Sequence, residues 1–323
     1  MRLLLLLVIT ISASIIGLIV GSMEISFGDL LSVLFSSNSN QTISKIIFDI
    51  RLPRILLAIA VGGGLSVAGA VFQAILMNPL AEPYILGISS GGTFGAVLAM
   101  MLGISFIWIS TFAFIGALCV MAVVFILGRR FGELEPNVLL LTGIMVGAFF
   151  SAAILLMMTM LGDSIRSAIF WLIGNLALAK AETVYYILPV TIIISIFLSL
   201  NGQKYNVLSL GTENALHMGV NTAFIKNVSY ILASIMIGAI VSVSGIVGFV
   251  GLLIPHVCRL IFGIDNRIVI PASFFVGASY LILADTLARS IIAPAELPVG
   301  AVTALVGSPI FIYLLRKRFN LIT

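Results

Sequence analysis

Ten stretches of predominantly apolar residues follow one another along this chain, and almost no charge interrupts them. They are Leu3–Val20, Ile55–Met77, Tyr84–Leu102, Phe106–Leu127, Val138–Leu161, Val184–Leu200, Phe224–Val243, Ile246–Ile261, Ile268–Leu287 and Pro298–Leu315. A helix needs about 20 apolar residues to cross the hydrocarbon of a bilayer. Backbone amides there must be satisfied without water, and a helix does so within its own segment. The pattern predicts an all-α polytopic membrane protein with about ten transmembrane helices, residues 1–323 forming a single transmembrane domain. Composition agrees. The chain is 61% apolar and only 9% charged, whereas a soluble domain carries about 25% charged residues and needs them to cover its surface.

The segment Leu3–Val20 follows Arg2 and is long for a signal peptide, so it is expected to stay as a first helix. From Glu24 to Asp49 the chain turns polar, and Ile25 to Phe35 fits a short interfacial helix. Val241–Gly251 reads as a loop or a broken helix. No strong internal repeat is seen, and no soluble domain is expected at either end.

Ten spans put both termini on one side. With the N-terminus inside, the inner segments hold Arg2, Arg129, Arg130, Lys204, Lys226, Arg259, Arg267, Arg316, Lys317 and Arg318. The outer ones hold Lys45, Arg51, Arg54, Arg166, Lys180 and Arg289. The positive-inside tendency therefore places both termini in the cytoplasm of a multi-pass protein of the cell (inner) membrane. The net charge of +4 is scattered between apolar segments, so it reflects topology and lipid contact rather than nucleic-acid binding.

Several short stretches demand more than a lipid-facing helix. Gly62-Gly63-Gly64, Ala68-Gly69-Ala70, Gly91 with Gly95, and Gly245, Gly248 and Gly251 offer small surfaces on which helices approach closely or slide. Asn78-Pro79-Leu80-Ala81-Glu82-Pro83 is a rigid turn, because two prolines restrain it and their neighbours. Glu82 is costly in lipid and is expected at the aqueous boundary or against a partner. Arg51 and Arg54 crowd the outer mouth of the second span, either as lipid anchors or as docking groups for carboxylates of a partner. Asp285 is a midspan carboxylate, expected to face the bundle interior in a structural hydrogen bond or as a proton carrier. Pro255 and His256, one turn before Arg259, suggest a helix end near the inner boundary. The inner stretch from Asn201 to Lys226 is too apolar for a plain linker. Two short amphipathic turns with glycine bends, including Leu208, Leu210, Gly211, Glu213, Ala215, Leu216 and Gly219, fit a partner-contact surface.

Cys119 and Cys258 lie far apart in apolar runs, so no metal or redox pair is expected. The GxxxxGK[ST] phosphate loop is missing, which excludes ATP binding of that kind, and so is HExxH, which gives no support to an intramembrane metallohydrolase. No cofactor and no catalytic residue are expected.

In combination, Arg51-Leu-Pro-Arg54, Gly62-Gly63-Gly64, Gly69, Gln73, Asn78-Pro-Leu-Ala-Glu-Pro83, Leu86-Gly87, Gly248-Phe-Val-Gly-Leu-Leu-Ile-Pro-His256 with Arg259, Leu283-Ala-Asp285 and Glu296-Leu-Pro-Val-Gly300 running to Gly307-Ser-Pro309 closely resemble one family. It is the permease family of iron–siderophore, haem and vitamin B12 importers, a branch of the ABC transporters. The match runs from Arg51 to the C-terminus; Gly92, where alanine is more usual, is a small departure.

The resemblance implies a homodimeric permease, two cytoplasmic ATPase subunits and an extracytoplasmic substrate-binding protein. ATP is then hydrolysed only in the partners, and a ferric siderophore, haem or cobalamin crosses by alternating access. It further implies that Arg51, Arg54 and Arg289 dock acidic residues of the binding protein, and that Leu208 to Gly219 form the ATPase-coupling helices. Asn78, Pro79, Glu82, Pro83, Pro255, His256 and Asp285 remain turn or gate candidates. The rival readings are an ion-coupled secondary transporter carrying its proton on Asp285, and a purely structural membrane scaffold.

Overall fold

The computed structural model describes residues 2–23, 25–35, 41–130, 132–177 and 181–319. Glu24 and Lys180 lie outside the described residues. The helices are α1 (Arg2–Ile19), α2 (Phe27–Phe35), α3 (Gln41–Lys45, continuing through a π-helical turn, Ile46–Arg51), α4 (Leu52–Ile75), α5 (Ile88–Met101), α6 (Phe106–Leu127), α7 (Pro136–Thr159) and α8 (Ile165–Leu172). They continue with α9 (Ala181–Leu200), α10 (Gly202–Leu208), α11 (Thr212–His217), α12 (Thr222–Ser244), α13 (Val250–Phe262), α14 (Asn266–Ala288) and α15 (Val299–Phe319). A two-residue hairpin, β1 (Arg129–Arg130) with β2 (Glu133–Leu134), joins α6 to α7. Among the described residues seven helices are long and apolar enough to cross a membrane, and Ile88–Met101, Val250–Phe262 and Val299–Leu314 are shorter apolar helices. Each of the ten apolar stretches thus overlaps one of these helices.

The ends follow local chemistry. Ser26 and Asp29 exchange side-chain bonds with each other's amides at the start of α2, a capping box. Asn221 accepts from Phe224 N before α12, and Asp265 from Arg267 N before α14. Helix α2 falls where a short helix was expected but begins two residues later.

The centre of the bundle is α4, buried along nearly its whole length. Its glycines explain how. A methyl group at Gly62 would overlap the carbonyl oxygen of Gly277 in α14, and one at Gly69 the carbonyl oxygen of Gly251 in α13. Only a residue without Cβ lets these backbones touch, and close backbone approach is what drives helix association in lipid. Helices α1, α6, α7 and α9 lie outside, with large apolar side chains such as Leu4, Ile126, Leu156 and Ile193 turned outward.

Antiparallel packing gives the bundle two distinct ends. Arg54 pairs with Asp285 and Gly62 lies on Gly277, so α4 and α14 run in opposite directions, while Thr10 on Ser279 and Gly17 on Thr286 set α1 parallel to α14. The start of α14 and the end of α13 meet the loop between α9 and α12, and the start of α1 lies at this same end, which we term the loop end. The starts of α4 and the ends of α1 and α14 form the arginine end.

Candidate functional site

At the arginine end, Arg54 donates from Nε and Nη2 to both oxygens of Asp285, at 2.8–3.0 Å. Its remaining nitrogen, Nη1, donates to Glu296 at 2.8 Å. Arg289 reaches the same carboxylate through Nε at 3.7 Å and donates Nη2 to the carbonyl of Gly17 at 2.5 Å. Arg51 donates to the carbonyls of Leu18 at 2.5 Å, Ile19 at 2.8 Å, and Met23. The last carbonyls of a helix have no intrahelical donors and carry partial negative charge. Arg51 and Arg289 therefore cap the C-terminus of α1 and pin it to α4 and α14. Gly21 makes room, since a Cβ there would press on the Arg51 guanidinium.

The basic rim expected from sequence takes a different form. Arg51, Arg54 and Arg289 do meet at one end, but each is only 3–4% exposed and turns inward. The reason is electrostatic: an arginine in a low-dielectric bundle is stable where carboxylates and carbonyls surround it, and Asp285, Glu296 and the end of α1 supply them. Asp285 is the buried structural partner. Sequence reading missed the two acids as arginine partners, although Glu296 was in a quoted motif; their separations of 231 and 242 residues give no local signal.

In the middle of the bundle the expected break between α12 and α13 is a built feature. Residues Gly245–Phe249 are non-helical, and Phe249 has φ +67°. Their amides are satisfied from elsewhere: Phe249 N donates to Glu82 Oε1 at 3.0 Å, and Val247 N to the Tyr84 hydroxyl at 3.1 Å. Asn175 N donates to the carbonyl of Ser244 at 2.8 Å. Gly174 and Gly300 pack on the carbonyl of Ile246 so closely that a Cβ on either would clash. Non-helical backbone at membrane depth persists only when buried in protein or lining a cavity.

Glu82, expected at the aqueous boundary or against a partner, thus faces inward and accepts at the head of α13. Asn78 accepts from Leu80 N at 2.9 Å, making a tight turn, while Pro79 borders the loop-end cavity and Pro83 packs on Gly251. Pro255 and His256 lie inside α13, which ends at Phe262, one residue beyond the expected span. Pro255 lacks the amide that would bond Gly251, and that carbonyl lies 3.5 Å from Gln73 Nε2 instead. The His256 ring packs edge-on against Phe311 of α15.

At the loop end, Gly211 at φ +103° and Gly219 at φ +80° bracket α11 and supply the expected bends. Leu210, Leu216 and Met218 are 52–61% exposed beside Glu213, which is also exposed. Leu208 and Ala215 are buried and anchor the loop to the bundle, which corrects their placement on the partner-facing side. A cavity of about 520 Å³ opens beside Leu210, lined also by Gln73, Met77, Pro79, Asn206, Arg259 and Asn266. Asp265 stands at its edge; bonds from Arg267 and Asn206 hold its carboxyl well below the usual carboxylate range. Among the described residues no group of three or more His, Cys, Asp or Glu could hold a metal ion.

This arrangement has close relatives. The model of the FecCD transport family matches residues 5–317. The chain belongs to that family. Within it, the chain is 39% identical over 279 residues to the cobalamin import system permease protein BtuC of Halobacterium salinarum, covering 86% of this chain and 75% of the relative. It is 36% identical over 305 residues to the hemin transport system permease protein HmuU of Yersinia pestis, covering 92% and 90%. A solved structure described as an inward-facing conformation of a metal-chelate type ABC transporter superposes with a TM-score of 0.88 at 32% identity, covering 98% of this chain and 99% of that one. The all-helical membrane fold of this FecCD chain is therefore that of an ABC transporter permease.

Proposed function

We propose that this chain is the permease subunit of an importer that carries a metal chelate, a ferric siderophore, haem or cobalamin, into the cytoplasm by alternating access. It works as a homodimer with two cytoplasmic ATPase subunits, which bind the loop end, and a binding protein, which docks at the arginine end. The termini then lie in the cytoplasm, and the membrane is the cell (inner) membrane.

The observation that carries this reading is the loop end. An exposed apolar trio, Leu210, Leu216 and Met218, lies on and beside the short helix α11, which two left-handed glycines bracket and buried Leu208 and Ala215 anchor. Exposed apolar side chains held this firmly outside the lipid zone fit a groove on another protein. The cargo class is supported by the cobalamin and hemin systems to which the relatives belong. The same reading accounts for a chain whose sequence has no phosphate loop. An ion-coupled transporter would need a carboxylate free to take a proton, whereas both Asp285 oxygens are held by Arg54.

The test is reconstitution in proteoliposomes with the candidate ATPase and binding protein, followed by uptake of ferric siderophore, haem and cobalamin. ATP-dependent uptake of one of them is expected. Uptake that proceeds without ATP and collapses with an ionophore would overturn the reading.

A further inference from the structure

The turn after α4 touches two regions. Met77 and Pro79 line the cavity at the loop end, next to Leu210, while Glu82 and Tyr84 hold the break between α12 and α13. The two regions lie at different depths. Gly69, which abuts Gly251 just beyond the break, is six residues before the last residue of α4, or about 9 Å at 1.5 Å per residue. The turn therefore reaches from the aqueous end into the bundle.

It is also stiff. Pro79 and Pro83 fix their own φ and restrain Asn78 and Glu82. Asn78 bonds Leu80 N, and Ala81 N bonds the Asn78 carbonyl at 3.1 Å. Gln73 clamps it from the side: Nε2 donates to the Ala81 carbonyl at 3.2 Å, and Oε1 accepts from Arg259 of the cavity wall. A segment this restrained moves as a unit.

The break, by contrast, is held loosely on one side. Phe249, a bulky residue, sits in the left-handed region, which L side chains rarely adopt. A strained residue persists only while its surroundings hold it, and at Phe249 the holding bond on the amide comes from Glu82. A Cβ at Gly248 would meet nothing within 4 Å, so the outer face of the break is open space.

From these contacts we infer that Glu82 is a positioning residue: through it and Tyr84, the rigid turn Met77–Leu86 transmits movement at the loop end to the break at Gly245–Phe249. The inference rests on the importer reading, in which ATPase closure moves the loop end. A carboxylate suits the role. It accepts at the first turn of α13, where amides lack helical partners, and its charge complements the positive end of the helix dipole.

The experiment uses the reconstituted importer, with Cys119→Ser and Cys258→Ala as background and a single reporter, Gly248→Cys. Labelling by a membrane-impermeant maleimide is timed without nucleotide and with ATP plus vanadate. With Glu82 present, the two rates are expected to differ several-fold. Glu82→Gln, which keeps an acceptor for Phe249 N, should preserve most of that difference. Glu82→Ala should abolish it and uncouple uptake while ATP hydrolysis continues. Tyr84→Phe, a milder change for a fold that does not tolerate Glu82→Ala, should at least halve the difference. A full nucleotide-dependent difference in Glu82→Ala, or in Tyr84→Phe where Glu82→Ala does not fold, overturns the inference. So does active ATP-driven uptake with no difference in the Glu82 background. Absence of ATP-dependent uptake in the unsubstituted importer defeats the importer reading itself.

Discussion

Arg54 and Asp285 form a buried, two-pronged ion pair, with Nε and Nη2 each within 3.0 Å of the carboxylate and both side chains almost fully enclosed. The pair joins the first turn of α4 to the last turn of α14, and Arg289 leans on the same carboxylate. Removing one partner of such a pair leaves an uncompensated buried charge, which costs about 3–5 kcal/mol. Asp285→Ala is expected to lower the thermal unfolding midpoint in detergent by many degrees. The double variant Arg54→Met with Asp285→Leu should recover part of the loss, because no charge is stranded. The check is a thermal melt of the three purified proteins. An unchanged midpoint in Asp285→Ala would show that the pair contributes nothing to the fold.

The second prediction separates backbone contact from mere smallness. Gly69→Ala would force α4 away from the Gly251 carbonyl, so loss of folded protein or a melt lowered by more than about 1–3 kcal/mol equivalent is expected. Gly248→Ala has space and no left-handed φ, so it should be close to neutral. Monodispersity on size exclusion and the melting midpoint read both. Equal tolerance of the two substitutions would mean that the α4–α13 approach is not needed.

Much of this architecture was legible in the sequence, and the rest was hidden for definable reasons. Phe106–Leu127 is both an apolar run and a helix with the same ends, because lipid leaves an uninterrupted apolar segment no other way to satisfy its amides. The bends at Gly211 and Gly219 were visible because glycine is the residue that takes left-handed backbone freely. Helix α8, eight residues long, carries too short a signal to stand apart from its neighbours. The inward turn of Arg51, Arg54 and Arg289 depends on partners brought together only by the tertiary fold. Pro255 sits inside α13, and only the tertiary fold shows that the Gly251 carbonyl it deprives faces the Gln73 side chain instead.

The third prediction concerns the loop end and uses burial to split neighbouring leucines. Leu210→Asp and Leu216→Asp alter exposed positions, so the permease should fold normally but lose the ATPase on co-purification and lose ATP-driven uptake. Leu208→Asp places a charge at a position 1% exposed, so it should damage the permease itself. Retention of the ATPase and full uptake by both surface variants would make α11 an ordinary connector.

The last prediction concerns docking at the arginine end. Arg51 and Arg289 each donate to carbonyls closing α1 and are buried, and two Arg54 nitrogens are committed to Asp285. Only Arg54 Nη1 pairs with a group near the surface, Glu296, whose side chain is 34% exposed. A carboxylate from a docking protein could replace Glu296 on that nitrogen without disturbing Asp285. Glu296 would then be an internal competitor, and its removal should strengthen docking. A charge-assisted hydrogen bond is worth about 1.5–3 kcal/mol when desolvated, and less at a half-exposed position. Glu296→Gln is therefore expected to tighten binding-protein affinity severalfold at low salt, with a smaller gain at moderate salt. Arg54→Lys, which keeps a charge but loses the fork, should weaken it. Arg51→Ala should instead lower the melting midpoint by loosening α1, with any loss of docking following from that. Affinity of the binding protein for the reconstituted permease, measured at two salt concentrations, decides the matter. Weaker or unchanged docking in Glu296→Gln would assign Glu296 to the fold alone and place the docking contact elsewhere.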